Sequence, residues 1–154
     1  MKKILVIEDD VNIRESLVEL LEMKSFNLLS ADNGTEGLKL AQEQIPDLIL
    51  CDVMMPGMNG YEVVEAIRKD SRFLNIPFIF LSAKAMDTDI EHAKKLGANS
   101  YLTKPFRAQE LFSVIDDLLK NKPGGNAGSG NLLDQLEIII AEIAIALGLR
   151  WRLV

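Results

Sequence analysis

The sequence predicts an α/β fold: a doubly wound five-stranded parallel sheet with helices on both faces, plus a short C-terminal apolar segment. Three observations predict it. Short β-rich runs alternate strictly with longer stretches whose apolar residues recur at helical spacing. The short runs are apolar almost throughout, as strands covered on both sides must be. Charged and hydroxyl residues follow the strands, where such folds bind their ligands.

The first strand is residues 4–7, ILVI. Residues 11–24 read as a helix, with Ile13, Leu17, Leu20 and Leu21 on one face. Residues 28–31 are a weaker strand, and 33–44 a helix carrying Leu38, Leu40 and Ala41. The third strand, 48–51, is LILC; it runs into Asp52, then Val53, Met54, Met55 and a turn at Pro56 and Gly57. Residues 61–69 form a helix with Val63, Val64 and Ile67 inward. Pro77 precedes the fourth strand, 78–81. Residues 88–96 are helical and stop at Gly97, a natural C-cap. A short strand at 100–102 leads to the last helix, 109–120, with Leu111, Phe112, Ile115, Leu118 and Leu119 on its apolar face. Right-handed crossovers join parallel strands in this order.

The 154 residues suffice for one domain and a little more, and 48% hydrophobic with 26% charged residues is ordinary for a soluble globular chain. A net charge of −6 lacks the basic field that nucleic-acid binding uses, so no direct nucleic-acid contact is expected. Cys51 is the single cysteine, which excludes an intrachain disulfide and suits a reducing cytoplasm. The N-terminal MKKILVIEDD has an apolar run too short for a signal peptide, and no run is long enough for a transmembrane helix.

Glu8, Asp9 and Asp10 follow the first strand, Asp52 the third, Ser82 the fourth and Lys104 the fifth. Carboxylates this close repel unless a cation intervenes, and a hard divalent ion with oxygen ligands resolves the conflict. Mg2+ suits such a set. Beside it Asp52 can act as a nucleophile and accept a phosphoryl group as an acyl phosphate. Lys104 can neutralise one phosphoryl oxygen and Ser82 can hydrogen-bond another. Each residue alone also has a structural reading: Asp10 as a helix N-cap, Ser82 as a turn residue, Lys104 as a surface lysine. Their gathering at separate strand ends favours the chemistry.

ILVIEDD (4–10), DLILCDVMMPGMNGYE (47–62), PFIFLSA (77–83) and GANSYLTKPF (97–106) together resemble the receiver domain of bacterial two-component response regulators. The resemblance spans residues 1–120 and implies a flavodoxin-like strand order, 2-1-3-4-5. It implies Asp52 as phosphoacceptor, Lys104 as the phosphate-pairing lysine, Ser82 as the hydroxyl and Tyr101 as the switch aromatic. It implies Mg2+ bound by Asp9, Asp52 and the Met54 carbonyl, with Glu8 acting through water; Asp10 is a possible additional acid or the start of the helix. The Lys104–Pro105 bond is expected to be cis. Met54 and Lys84 sit where the family tunes hydrolysis. The implied function is a phosphorylation-dependent switch, not a turnover enzyme, with a histidine kinase or phosphotransfer protein as donor. A downstream protein target or self-dimer follows it, without membrane association and in the cytoplasm. The alternative is a pseudo-receiver, an interaction module that works without phosphate.

His92, in a polar helix, reads as a solvated residue. The turn around Gly57 and Gly60 lacks a phosphate-loop lysine pattern. Residues 121–131, NKPGGNAGSGN, read as a flexible linker or an engineered joint. Residues 132–154 are too short for a helix-turn-helix output domain. They follow helical spacing to about Leu147, then alternate in strand fashion. They read as a docking or dimerising segment or as a truncated or fused remnant.

Overall fold

A computed structural model describes residues 1–83 and 86–120 of the chain. The expectations for Lys84 and for residues 121–154 therefore lie outside the described residues.

Among the described residues five strands, β1 (Lys3–Ile7), β2 (Asn27–Ala31), β3 (Leu48–Asp52), β4 (Phe78–Ser82) and β5 (Ser100–Thr103), form one parallel sheet in the order β2-β1-β3-β4-β5. Helices α1 (Val11–Glu22), α2 (Gly34–Gln44), α3 (Gly60–Lys69), α4 (Asp87–Leu96) and α5 (Ala108–Lys120) connect and cover them, with one short 3-10 turn at Ser71–Phe73 that the sequence did not suggest. The predicted α/β class and strand order are the ones found.

Side chains alternate across a strand, so each strand feeds two cores. Ile4, Val6, Leu50, Ile79 and Leu81 pack with Leu17, Leu20 and Leu21 of α1 and Leu111, Phe112 and Ile115 of α5. Leu5, Ile7, Ile49, Cys51, Phe78 and Phe80 pack with Ala41 of α2, Val63, Val64 and Ile67 of α3, and Ala93 of α4. All of these are buried, which is why the strands read as unbroken apolar runs. Cys51 packs in this second core.

The same alternation orients the strand ends. Two residues beyond Val6 and Leu50 come Glu8 and Asp52, so both belong to the α1–α5 side. Lys104, two beyond Leu102, follows suit. Ser82 and Tyr101 fall on the other side, where Tyr101 packs against the second core. The sequence placed Asp52 and Ser82 just after their strands. Each is instead the last strand residue, held by pairing of Asp52 with Leu81 and of Ser82 with Thr103.

Three helix starts are capped by side chains. Asp10 caps α1 by accepting from the Asn12 and Ile13 amides, Asn33 caps α2 through Glu36, and Asn59 caps α3 through Glu62. Gly97, at φ 111°, ends α4 in the left-handed conformation.

Gly60 is required by a close approach rather than by φ. A Cβ there would meet the Asp52 carbonyl oxygen, and would lie 2.8 Å from the Phe80 ring and 3.0 Å from Val53 Cα. Two of these three neighbours are backbone and cannot swing away. Gly60→Ala is expected to cost about 2 kcal/mol in urea unfolding, despite alanine's better helix propensity, through overpacking against the end of β3.

Tyr61 shows the opposite imbalance. Its ring is edge-on to Phe80 at 5.5 Å and to His92 at 4.7 Å, but its buried hydroxyl has no hydrogen-bond partner among the described residues. An unpaired buried hydroxyl is a desolvation cost. Tyr61→Phe is therefore expected to raise stability by about 1 kcal/mol, read as an increase in Tm. His92 is exposed, in keeping with the solvated reading, yet its ring also closes over Tyr61.

Candidate functional site

The carboxyl ends of β1, β3, β4 and β5 meet at one edge of the sheet. Glu8, Asp9 and Asp52 each offer a carboxylate oxygen there, all within 4.8 Å of one another. Glu8 and Asp52 are buried and Asp9 is exposed. Lys104 Nζ lies 2.9 Å from Glu8 Oε2 and 3.4 Å from Asp52 Oδ2, bridging the two buried acids. The Met54 amide donates to Asp52 Oδ1 at 3.4 Å, and the Asp10 amide to Glu8 Oε1 at 3.3 Å.

Each site residue singled out from the sequence and lying among the described residues has a definite place. Asp10 is the α1 cap; its carboxylate turns to the helix amides at 2.9 and 3.1 Å and is not part of the acidic group. Ser82 is buried at the end of β4, and the Lys104 amide donates to its carbonyl at 2.8 Å. The Lys104–Pro105 bond is cis. Tyr101 is half-buried, with its ring 6.1 Å from Phe80 and a hydrogen bond to Ser82. Met54 is exposed beside Asp52. Arg14 was not singled out. Its Nη1 donates to the Glu8 carbonyl at 2.8 Å, a contact that wraps round a helix start and leaves no periodic signature in sequence.

Electrostatics reflect burial. Burial pushes the Glu8 carboxyl up to about 7; the hydrogen bond and charge of Lys104 offset part of the rise, while Asp52 adds to it. For Lys104, burial pulls the ammonium down, but the bond to Glu8 and the charges of Glu8 and Asp52 prevail and raise it. Burial also raises the Tyr101 hydroxyl, opposed by its bond to Ser82.

The Glu8 shift has a stability consequence for the metal-free protein. Between the ordinary value of 4.5 and about 7, folded Glu8 holds a proton that the unfolded chain has lost. Stability from this group is therefore complete below pH 4.5 and is lost as pH rises towards 7. Glu8→Gln is expected to flatten this part of the stability profile, measured by urea unfolding in a chelator from pH 4.5 to 8.

The donor set fits a hard cation. Three carboxylates meet at the sheet edge, no histidine or cysteine accompanies them among the described residues, and one side is exposed. Mg2+ favours oxygen ligands and keeps part of its water shell, which an open face permits.

Comparison with known proteins agrees with this geometry. The response regulator receiver domain family matches residues 4–116. Protein PilH of Pseudomonas aeruginosa is 35% identical over 119 residues, covering 77% of this chain and 98% of PilH. The transcriptional regulatory protein CpxR of Escherichia coli is 40% identical over 120 residues, 78% of this chain but 50% of CpxR. The chain likewise spans about half of the probable transcriptional regulator ycf29 of Pyropia yezoensis, 53% of its length at 39% identity over 76% of this chain. Among solved structures, the chemotaxis response regulator CheY4 of Vibrio cholerae superposes with a TM-score of 0.74 at 31% identity, covering 77% of this chain and 99% of CheY4. No helix among the described residues is long and apolar enough to cross a membrane. With the strand order, the acidic edge and these matches in hand, the chain belongs to the receiver domain family of two-component response regulators.

Proposed function

We propose that the protein is a phosphorylation-dependent switch that accepts a phosphoryl group on Asp52 from a histidine kinase or a histidine phosphotransfer protein. The convergence of Glu8, Asp9 and Asp52, with the Lys104 ammonium on Glu8 and Asp52, carries this reading. Asp9, Asp52 and the Met54 carbonyl would hold Mg2+, with Glu8 reached through water. The ion would neutralise the carboxylates and the phosphoryl oxygens.

The chain's own groups do the rest. Asp52 Oδ attacks phosphorus, the P–O or P–N bond to the donor breaks, and the donor group leaves with its electron pair. The product is an acyl phosphate. Lys104, at 3.4 Å from Asp52, is placed to pair with a phosphoryl oxygen. Ser82, hydrogen-bonded by Tyr101, turns its hydroxyl to another oxygen and releases that tyrosine. The surface of α4, β5 and α5 then changes, which is the signal to a protein target or second copy. The protein turns over no external substrate in this account, and it works in the cytoplasm.

The test is intact mass after incubation with Mg2+ and acetyl phosphate. One phosphate adduct that disappears with chelator supports the proposal. An unmodified native chain supports the pseudo-receiver instead.

A further inference from the structure

We infer that Arg14 is a positioning residue for the metal-binding carboxylate of Asp9, acting through the peptide that joins Glu8 to Asp9. This rests on the magnesium site of the proposed function. Glu8 is held at its carboxylate by Lys104 and the Asp10 amide, and Asp52 by Lys104 and the Met54 amide. Asp9 is different: among the described residues its carboxylate has no hydrogen bond or ion pair, and it is exposed. Its direction is therefore set by the backbone on either side. On the far side Asp10 is fixed, since its carboxylate caps α1 and its carbonyl accepts from the Arg14 amide at 2.9 Å. On the near side lies the peptide between Glu8 and Asp9. Its carbonyl accepts from Arg14 Nη1 at 2.8 Å, beyond the end of β1 at Ile7. Fixing that oxygen fixes the peptide plane, and with it the Cα–Cβ direction of Asp9. Arg14 thus grips the turn at two points, with its own amide and its own side chain, from one half-buried position on α1.

Charge and position predict opposite signs. Arg14 brings a cation near an acidic group, so on charge alone its removal should tighten Mg2+ binding. If Arg14 positions Asp9, its removal should weaken binding, as loss of an outer-sphere contact to a ligand does. Arg14→Met keeps the apolar stem and removes the donor and charge; Arg14→Lys keeps the charge and one donor.

The experiment is isothermal titration calorimetry with Mg2+ on the full chain and both variants, with Tm in chelator recorded for each. We expect the Arg14→Met dissociation constant to rise about tenfold and the Arg14→Lys value to lie between it and the native one. In acetyl phosphate labelling, the half-saturating Mg2+ concentration should move by the same factor, while the rate at saturating Mg2+ stays near native. Unchanged or tighter binding in Arg14→Met, while the native chain binds Mg2+, overturns the role of Arg14 alone. A native chain that binds no Mg2+ overturns the metal site and this inference together. Should Arg14→Met not fold, Arg14→Lys decides: native affinity in that variant overturns the inference, because a lysine amine ends one bond short of the place Arg14 Nη1 holds against the Glu8 carbonyl.

Discussion

Asp52→Asn is expected to abolish the acetyl phosphate adduct in intact-mass analysis while leaving the fold in place. An amide is not the anionic nucleophile that phosphoryl transfer from a small donor requires. The same substitution should stabilise the metal-free protein. Asp52 is buried beside Glu8, and its charge is one of the causes that push the Glu8 carboxyl upward. At pH 8, where Glu8 is ionised, removing that charge relieves the repulsion while Lys104 keeps Glu8 as partner at 2.9 Å, a gain of about 1 kcal/mol or a few degrees in Tm. Loss of modification together with a gain in stability separates a site built under electrostatic strain from a merely structural aspartate, whose loss would only destabilise. Asp52→Asn that still acquires the adduct would place the phosphoryl group elsewhere.

Lys104→Met should do the reverse to stability. Lys104 is the cation that bridges Glu8 and Asp52, at 2.9 and 3.4 Å, and its own side chain is only 19% exposed. Removing one partner from a buried ionic group leaves an uncompensated charge, which costs about 3–5 kcal/mol when nothing relieves it. Here Glu8 can take up a proton, and the remaining solvent contact of the site screens part of the rest. The expected loss is therefore smaller, about 2 kcal/mol at pH 8, where native Glu8 is ionised. Below pH 5 it should shrink, because Glu8 is then protonated in the native protein as well and only the Lys104 contact to Asp52 at 3.4 Å is lost. The measurement is urea unfolding of both proteins in chelator at the two pH values. Mg2+ should recover more stability in the variant than in the native chain, since a cation returns to the unpaired carboxylates.

Much of this architecture is legible in the sequence because it depends on local pattern. Residues 4–7 and 48–51 read as strands covered on both faces because both faces are in fact cores, one under α1 and α5 and one under α2, α3 and α4. The gathering of Glu8, Asp9, Asp52 and Lys104 follows from parallel topology, which brings the carboxyl ends of strands to one edge. Strand ends were less legible. Asp52 and Ser82 look like the first loop residues because they are polar, and only pairing with β4 and β5 makes them strand. The ambiguity among Glu8, Asp9 and Asp10 also yields only to geometry. Asp10 turns away to cap α1, whereas Glu8 lies inward at the alternation set by Ile4 and Val6. Least legible are contacts between residues far from any period: Arg14 on the Glu8 carbonyl, Gly60 against the Asp52 carbonyl, and the unpaired Tyr61 hydroxyl. Each depends on a side chain or missing Cβ meeting backbone in space.

The most direct measurement is a crystal structure of the chain grown with Mg2+ and beryllofluoride, a phosphoryl mimic. Beryllofluoride is expected on an Asp52 carboxylate oxygen, with Mg2+ ligated by Asp9, Asp52 and the Met54 carbonyl. Beryllofluoride bound to another side chain, or Mg2+ bound away from Asp9 and Asp52, would contradict it.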